Sequence, residues 1–255
     1  MQRAIALLSI AAVLLFSGAA FASNVDSESA QYGGHIWVDA STGNVIHSEG
    51  PEGAAPAAGV DIYSNVLSTA NAGISSTSLP SIWGDHLLTT GLGIVSQNDF
   101  TIYNASPSGT LTACTVAINF YNFSTSALIG GYTGSITFST ALSPGFYSIV
   151  TFINLETLST PINLTTNDIV ITQNLLTKTG AATRFGVVSI DPPTIGTSPV
   201  TMYISSATIG GGVPGYYQLA VSGVPVNTNP GYRINALSPV ATEPTTWGKV
   251  KSLYR

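Results

Sequence analysis

Charge is the scarcest property of this chain. Lys, Arg, Asp and Glu together make up 7% of its 255 residues, against about 25% in an ordinary soluble domain. A solvent face with so few charges is wetted by Ser, Thr, Asn and Gln, which bind water well but repel copies of themselves weakly. No lysine or arginine occurs between the N-terminal leader and Thr177. The balance is mildly acidic, −5 at neutral pH, which excludes a basic nucleic-acid footprint. A single cysteine, Cys114, excludes a disulfide framework. It falls in the alternating apolar run "TACTVAINFY" and reads as a buried, inert thiol. Stability must therefore come from packing, and a chain of this length buries about 70–75% of its unfolded surface.

Catalytic motifs are missing as well. The histidines are His35, His47 and His86. His35 and His47 belong to one short segment with no third zinc ligand in view. His86 follows Asp85, and neighbours on a strand point to opposite faces, so the two make no dyad. There is no Gly-x-Ser-x-Gly elbow, His-x-x-x-His pair or phosphate-binding loop. A glycoside hydrolase needs two carboxylates in one cleft. The body offers Asp61, Asp85, Asp99, Glu156, Asp168 and Asp191, and no two of them share a local motif.

What is present begins with a secretory pattern. "MQRAIALLSIAAVLLFSGAAFA" has a basic Arg3, an apolar run from Ala4 to Phe16 and an A-x-A site at Ala20–Ala22, so residues 1–22 read as a cleaved signal. The run is too short for a membrane span. Residues 23–48 hold "HIWVDASTGNVIHS", a hairpin with Ile36 and Val38 on one arm, Val45 on the other and "DASTGN" between. A lone hairpin is marginal in water, so it docks on the body or stays mobile. Residues 49–59, "EGPEGAAPAAG", read as a linker.

Residues 60–240 form the body. Short runs of β type, "DFTIYNA", "CTVAINFYNF", "GSITFST", "GFYSIVTFINL", "DIVITQNL" and "VTMYISSA" among them, alternate with Gly/Pro/Asn/Ser clusters. This spacing predicts an all-β, antiparallel sandwich, since the connections are too short for helical crossovers. Hydrophobic content is too high for disorder. Trp83-Gly84-Asp85 reads as a structural corner, with the indole in the core and Asp85 hydrogen-bonding a loop.

"VDIYSN", "SIWGDHLLTTGLGIVSQNDFTIYNAS" and "LTACTVAINFYN" resemble a group of secreted bacterial β-sandwich domains found in planctomycete-type surface proteins, many of which carry a PEP-CTERM sorting tail. The resemblance spans roughly Asp61 to Val221 and implies a jelly-roll-like sandwich and export, with no activity attached. The chain departs from that pattern at its end. Thr242-Glu243-Pro244 echoes the start of a PEP-CTERM tail, but no apolar stretch follows, so no transmembrane span is expected in the mature chain. Instead "TTWGKVKSLYR" resembles a short terminal motif of otherwise unrelated secreted bacterial proteins.

Within that tail, residues 241–255, Trp247, Val250 and Tyr254 recur at helical spacing behind a Thr cap. Lys249, Lys251 and Arg255 lie where cations complement a helix dipole. One reading is a short helix docked by its aromatic face. Another is a recognition tag, with Trp247, Lys249, Lys251 and Arg255 read by envelope sorting machinery or an acidic partner. Mobile disorder is the third.

Two binding chemistries remain for the body. Calcium takes hard oxygen ligands, and the loop residues Asp61, Asn65 and Asp99, with Asn98 and Asp168 behind them, supply such atoms. Asx residues also cap turns by default. Sugars stack on aromatic rings, and Tyr132, Tyr216 and Tyr217 lead a tyrosine set that includes Tyr103, Tyr121 and Tyr147. The expectation is an exported, non-catalytic cell-surface or matrix protein with a tendency to self-associate. A carbohydrate-binding module, calcium-assisted or not, is the alternative, and a secreted glycoside hydrolase the second.

Overall fold

A computed structural model describes residues 30–48, 59–66, 68–199, 201–207, 214–218, 220–221, 224–225 and 227–237. The signal segment, nearly all of the linker, and the tail with Trp247, Lys249, Lys251 and Arg255 lie outside the described residues.

The chain folds as an all-β sandwich of two large sheets. The first holds nine strands. They are β1 (Gln31–Asp39), β2 (Val45–Ser48), β3 (Val60–Ser64), β4 (Thr69–Ser76), β6 (Gly93–Asn104), β9 (Phe146–Ile153), β10 (Asn163–Leu164), β12 (Phe185–Asp191) and β17 (Tyr232–Leu237). The second runs β14–β13–β5–β11–β7–β8. Its strands are β5 (Ser81–Leu88), β7 (Leu111–Asn122), β8 (Leu128–Leu142), β11 (Asp168–Gly180), β13 (Met202–Ser205) and β14 (Gly215–Tyr217). A small ribbon pairs β15 (Ala220–Val221) with β16 (Val224–Pro225). Among the described residues the one helical element is a 3-10 turn at Leu155–Thr157, which contains Glu156, and no helix is long and apolar enough to cross a membrane.

Alternation builds the core between the sheets. On β7, Val116, Ile118 and Phe120 point inward while Thr115, Ala117, Asn119 and Tyr121 face out. On β11 the inward set is Ile169, Ile171, Gln173 and Leu175, and on β5 it is Trp83, Asp85 and Leu87. Each fully buried large apolar side chain contributes about 1.5–3 kcal/mol relative to exposure, so Trp83, Phe100, Phe120 and Phe185 anchor the fold. The sheets approach closely at β8, where a Cβ on Gly134 would stand 2.2 Å from the Phe152 ring. Cys114 is buried and free, and burial pushes its thiol pKa up to about 12, so it is inert as a nucleophile.

The first sheet is buried on both faces. Beyond the main core, Tyr103, Tyr147, Ile149, Val188 and Ile190 form a second apolar cluster on its outer side. The hairpin extends this sheet in plane: β1 and β2 pair antiparallel as expected, β1 then joins β9 in parallel, and Ile36 and Val38 enter the main core. That parallel pair corrects the expectation of a wholly antiparallel fold. The strands β2 to β8 intervene between β1 and β9, so the chain has ample length to return in the same direction. Trp83-Gly84-Asp85 lies in the body of a strand rather than at a corner, although its indole is in the core as expected.

Candidate functional site

The residues singled out for calcium do not converge on one point. Asp61 on β3 accepts from Arg233 Nε at 3.0 Å and from Asn235 Nδ2 at 3.2 Å. Asp99 on β6 lies beside the same guanidinium, with Arg233 Nη1 3.6 Å from its Oδ2, and accepts from Gln97 Nε2 at 2.8 Å. Asn65 sits elsewhere. Its Nδ2 donates to the Ile190 and Pro230 carbonyls, and its Oδ1 accepts from the Tyr232 amide at 2.6 Å. The cation between the two carboxylates is thus Arg233, while Asn65 is a backbone clamp. Among the described residues no group of three or more His, Cys, Asp or Glu comes together.

Arg233 does not fully offset the desolvation of Asp99. Burial pushes the Asp99 carboxyl up to about 6, against the lowering pull of Arg233 and Gln97. For Arg233 itself burial works against the charge, but Asp99 and Asp61 outweigh it and hold the guanidinium pKa above its usual value. The trio therefore binds β17 to both β3 and β6.

A second polar centre lies inside the sandwich. Asp85 is fully buried, its Oδ2 accepting from Ser198 Oγ at 2.7 Å and its Oδ1 from the His86 amide at 2.8 Å. Asp85 thus bonds a loop, as its sequence context predicts. Burial drives its pKa well above the ordinary carboxylate range. Polar contacts continue outward from it: Ser198 Oγ, whose one proton goes to Asp85, lies 3.3 Å from Asn229 Oδ1, and Asn229 Nδ2 donates to Asp191 at 2.8 Å.

The tyrosines divide by strand parity. Tyr132 shares the inward parity of Ile136 and Phe138 on β8, so it is a core residue, unavailable for stacking on a sugar. Its hydroxyl donates to Asn98 Oδ1 at 2.9 Å, and its ring centroid lies 5.0 Å from that of Phe152. Tyr217 is also buried. Tyr216 turns to the opposite face and meets Tyr203 edge-on, with centroids 5.6 Å apart and planes at 67°. Of the three tyrosines singled out, only Tyr216 reaches an outer surface, and it is partly buried there, which raises its pKa.

That surface is the outer face of the six-stranded sheet, and beside Tyr121 and Asp168 it gathers His86, Phe123 and Tyr203, to which the sequence reading gave no role. His86 points outward, stacks on Phe123 at 3.7 Å with planes 8° apart, and places Nε2 2.6 Å from Asp168 Oδ1. Tyr121, on the same face, is close enough to Tyr203 to bear on its ionisation. The Tyr203 pKa is raised by burial first, then by Tyr121 and Tyr217. The signal for Tyr203 lay in "TMYIS", where Met202 and Ile204 go inward and the ring between them must go out. His35, by contrast, is a buried structural residue, its Nε2 2.6 Å from Thr151 Oγ1 and its ring stacked on Trp37. His47 lies opposite Ile36 in the hairpin register, not opposite His35. Compared with known proteins, the chain matches no family model, no curated protein and no solved structure.

Proposed function

We propose that this is an exported, non-catalytic protein of the cell surface or extracellular matrix, a structural or adhesive sandwich that associates with copies of itself along a strand edge. Export rests on the signal pattern in residues 1–22, and the tail, with Trp247, Lys249, Lys251 and Arg255, serves as its sorting or docking element. The resemblance to secreted surface domains points the same way.

The observation that carries this reading is β8. It is the outermost strand of its sheet and runs 15 residues, "LIGGYTGSITFSTAL", without a charge or a proline. Among the described residues β7 is its one hydrogen-bonded strand neighbour, in unbroken register from Ala113/Thr137 to Phe120/Gly130. Thr133, Ser135, Thr137 and Ser139 are exposed along it. A strand edge of this kind offers a row of open N–H and C=O groups, and natural proteins that avoid lateral pairing guard such edges with lysine, proline or bulges. This edge is unguarded over its middle. The pairing of Asp61 and Asp99 with Arg233, and of Asp168 with His86, supports a non-catalytic reading, because these carboxylates are engaged within the scaffold.

Sedimentation velocity over a hundredfold concentration range tests the proposal. The wild-type chain is expected to shift toward larger species with concentration, and a Thr133→Lys/Thr137→Lys variant to remain monomeric with an unchanged circular dichroism spectrum. A strictly monomeric wild type in low and high salt contradicts it.

A further inference from the structure

The contact between His35 and Thr151 has a chemical side as well as a structural one. In the nine-stranded sheet β1, β9 and β6 lie side by side, and strand register sets Thr151 opposite Asp99. Their neighbours Phe100, Val150 and Phe152 point into the main core, so these two side chains point out of it. His35 Nε2 stands 2.6 Å from Thr151 Oγ1, and stacking on Trp37 fixes the plane of the imidazole. Gln97, two residues before Asp99, shares its face and holds its Nε2 2.8 Å from Asp99 Oδ1. The Thr151 hydroxyl bears on the same carboxyl. Gln97 and Thr151 are thus diagonal neighbours on paired strands, about 7–8 Å apart at the backbone, a gap that a long side chain spans. His35, Gln97, Asp99 and Thr151 are each at most 3% exposed. Among the described residues Gln97 Oε1 has no hydrogen-bond partner. A buried amide left half satisfied calls for a reason.

We propose that Thr151 and Gln97 join in a self-generated ester bond, an internal staple between β9 and β6. A hydroxyl becomes a nucleophile when a base lies within hydrogen-bond reach and a third group orients that base. His35 is the base and Trp37 the group that orients it. In the tautomer with Nε2 unprotonated, His35 takes the Thr151 proton as Oγ1 forms a bond to Gln97 Cδ. The Cδ–Nε2 bond then breaks and His35 returns the proton to the departing nitrogen. One ammonia leaves, and nothing else is consumed. Asp99, bonded to the amide N–H, holds the carboxamide in place. Fixing both groups on neighbouring strands makes the encounter intramolecular, with an effective molarity on the order of 10⁵–10⁸ M for well-oriented groups. Exclusion of water protects the product from hydrolysis. The ester has no N–H to satisfy, and it gives a chain with a single cysteine a covalent tie that disulfides do not supply. The reaction occurs once per chain, without turnover, and it does not depend on pairing along β8.

Protease digestion and tandem mass spectrometry of the purified full chain test this. The expected product is a branched peptide that joins the Gln97 segment of β6 to the Thr151 segment of β9. It is lighter than the two peptides together by one ammonia. Alkaline hydroxylamine, which cleaves esters and spares amides, should release both segments and leave a hydroxamate at Gln97. Thr151→Val and Gln97→Met should lose the branched peptide completely, whereas Thr151→Ser keeps the hydroxyl and should form it. His35→Gln should slow its appearance after synthesis about a hundredfold or more. Circular dichroism checks that each variant folds, and the wild-type digest decides the matter if one does not. The proposal is overturned if the folded wild type yields the two segments only as separate peptides of unaltered mass. It is equally overturned if the ammonia loss maps to other residues, or if the branched peptide survives in Thr151→Val. A strictly monomeric wild type that carries the branched peptide would remove edge pairing and leave the ester standing.

Discussion

Arg233 donates to Asp61 at 3.0 Å across the β17–β3 pair, and the other end of the same guanidinium lies beside the buried Asp99. The one ion therefore ties three strands of the nine-stranded sheet. Removing it leaves Asp99 with no opposite charge in a dry site, a situation that costs about 3 kcal/mol. Arg233→Met is expected to lower the urea midpoint accordingly, and Arg233→Met/Asp99→Asn to recover most of the loss. A double variant no more stable than the single one contradicts this coupling.

Asp99 also gives a pH dependence of unusual sign. Its folded pKa, about 6, lies above the ordinary carboxylate value of about 3.9 found in unfolded chains. Between those values the folded state holds the proton and the unfolded state has released it, so stability falls as pH rises through the window. Above about pH 6 the effect is complete, on the order of 2–3 kcal/mol. Urea unfolding of wild type and Asp99→Asn at pH 4, 5, 6 and 7 checks it. The wild type should lose stability relative to the variant on going from pH 4 to pH 7. A constant difference, or one of opposite sign, contradicts the assignment.

Much of the architecture was legible because alternation is a local signal. Val116, Ile118 and Phe120 mark the inward parity of β7 without reference to any other strand, and the turn "DASTGN" marks the hairpin. The Trp83 indole fell in the core as read, and Asp85 bonds a loop as read, though from a buried position inside the sandwich that was not foreseen. Long-range partners were not legible. The Arg233–Asp61 contact joins residues 172 positions apart, and nothing near Asp61 announces its partner. The same holds for His86 and Asp168, and for the parallel docking of β1 on β9. Tyr132 was a different miss. Ile136 and Phe138 share its parity on β8 and already placed it in the core.

Asp85 and Ser198 form the link between β5 and the loop before β13. Asp85→Asn keeps the shape and the acceptor that faces the His86 amide, and removes a carboxylate that burial already disfavours. Its cost is expected to be below about 1 kcal/mol. Ser198→Ala leaves a buried acceptor unpaired and is expected to cost about 1–3 kcal/mol. Equilibrium unfolding of the two variants distinguishes them. An Asp85→Asn protein less stable than Ser198→Ala contradicts the reading of Asp85 as a desolvated hydrogen-bond acceptor.

Hydrogen–deuterium exchange of the β8 amides at low and high protein concentration probes the unguarded edge itself. Residues 130–137 should gain protection as concentration rises, while the already paired interior strands β11 and β5 exchange at a constant rate. Unaltered exchange along β8, at concentrations where the chain sediments as a single species, would mean that this edge pairs with nothing of its own kind.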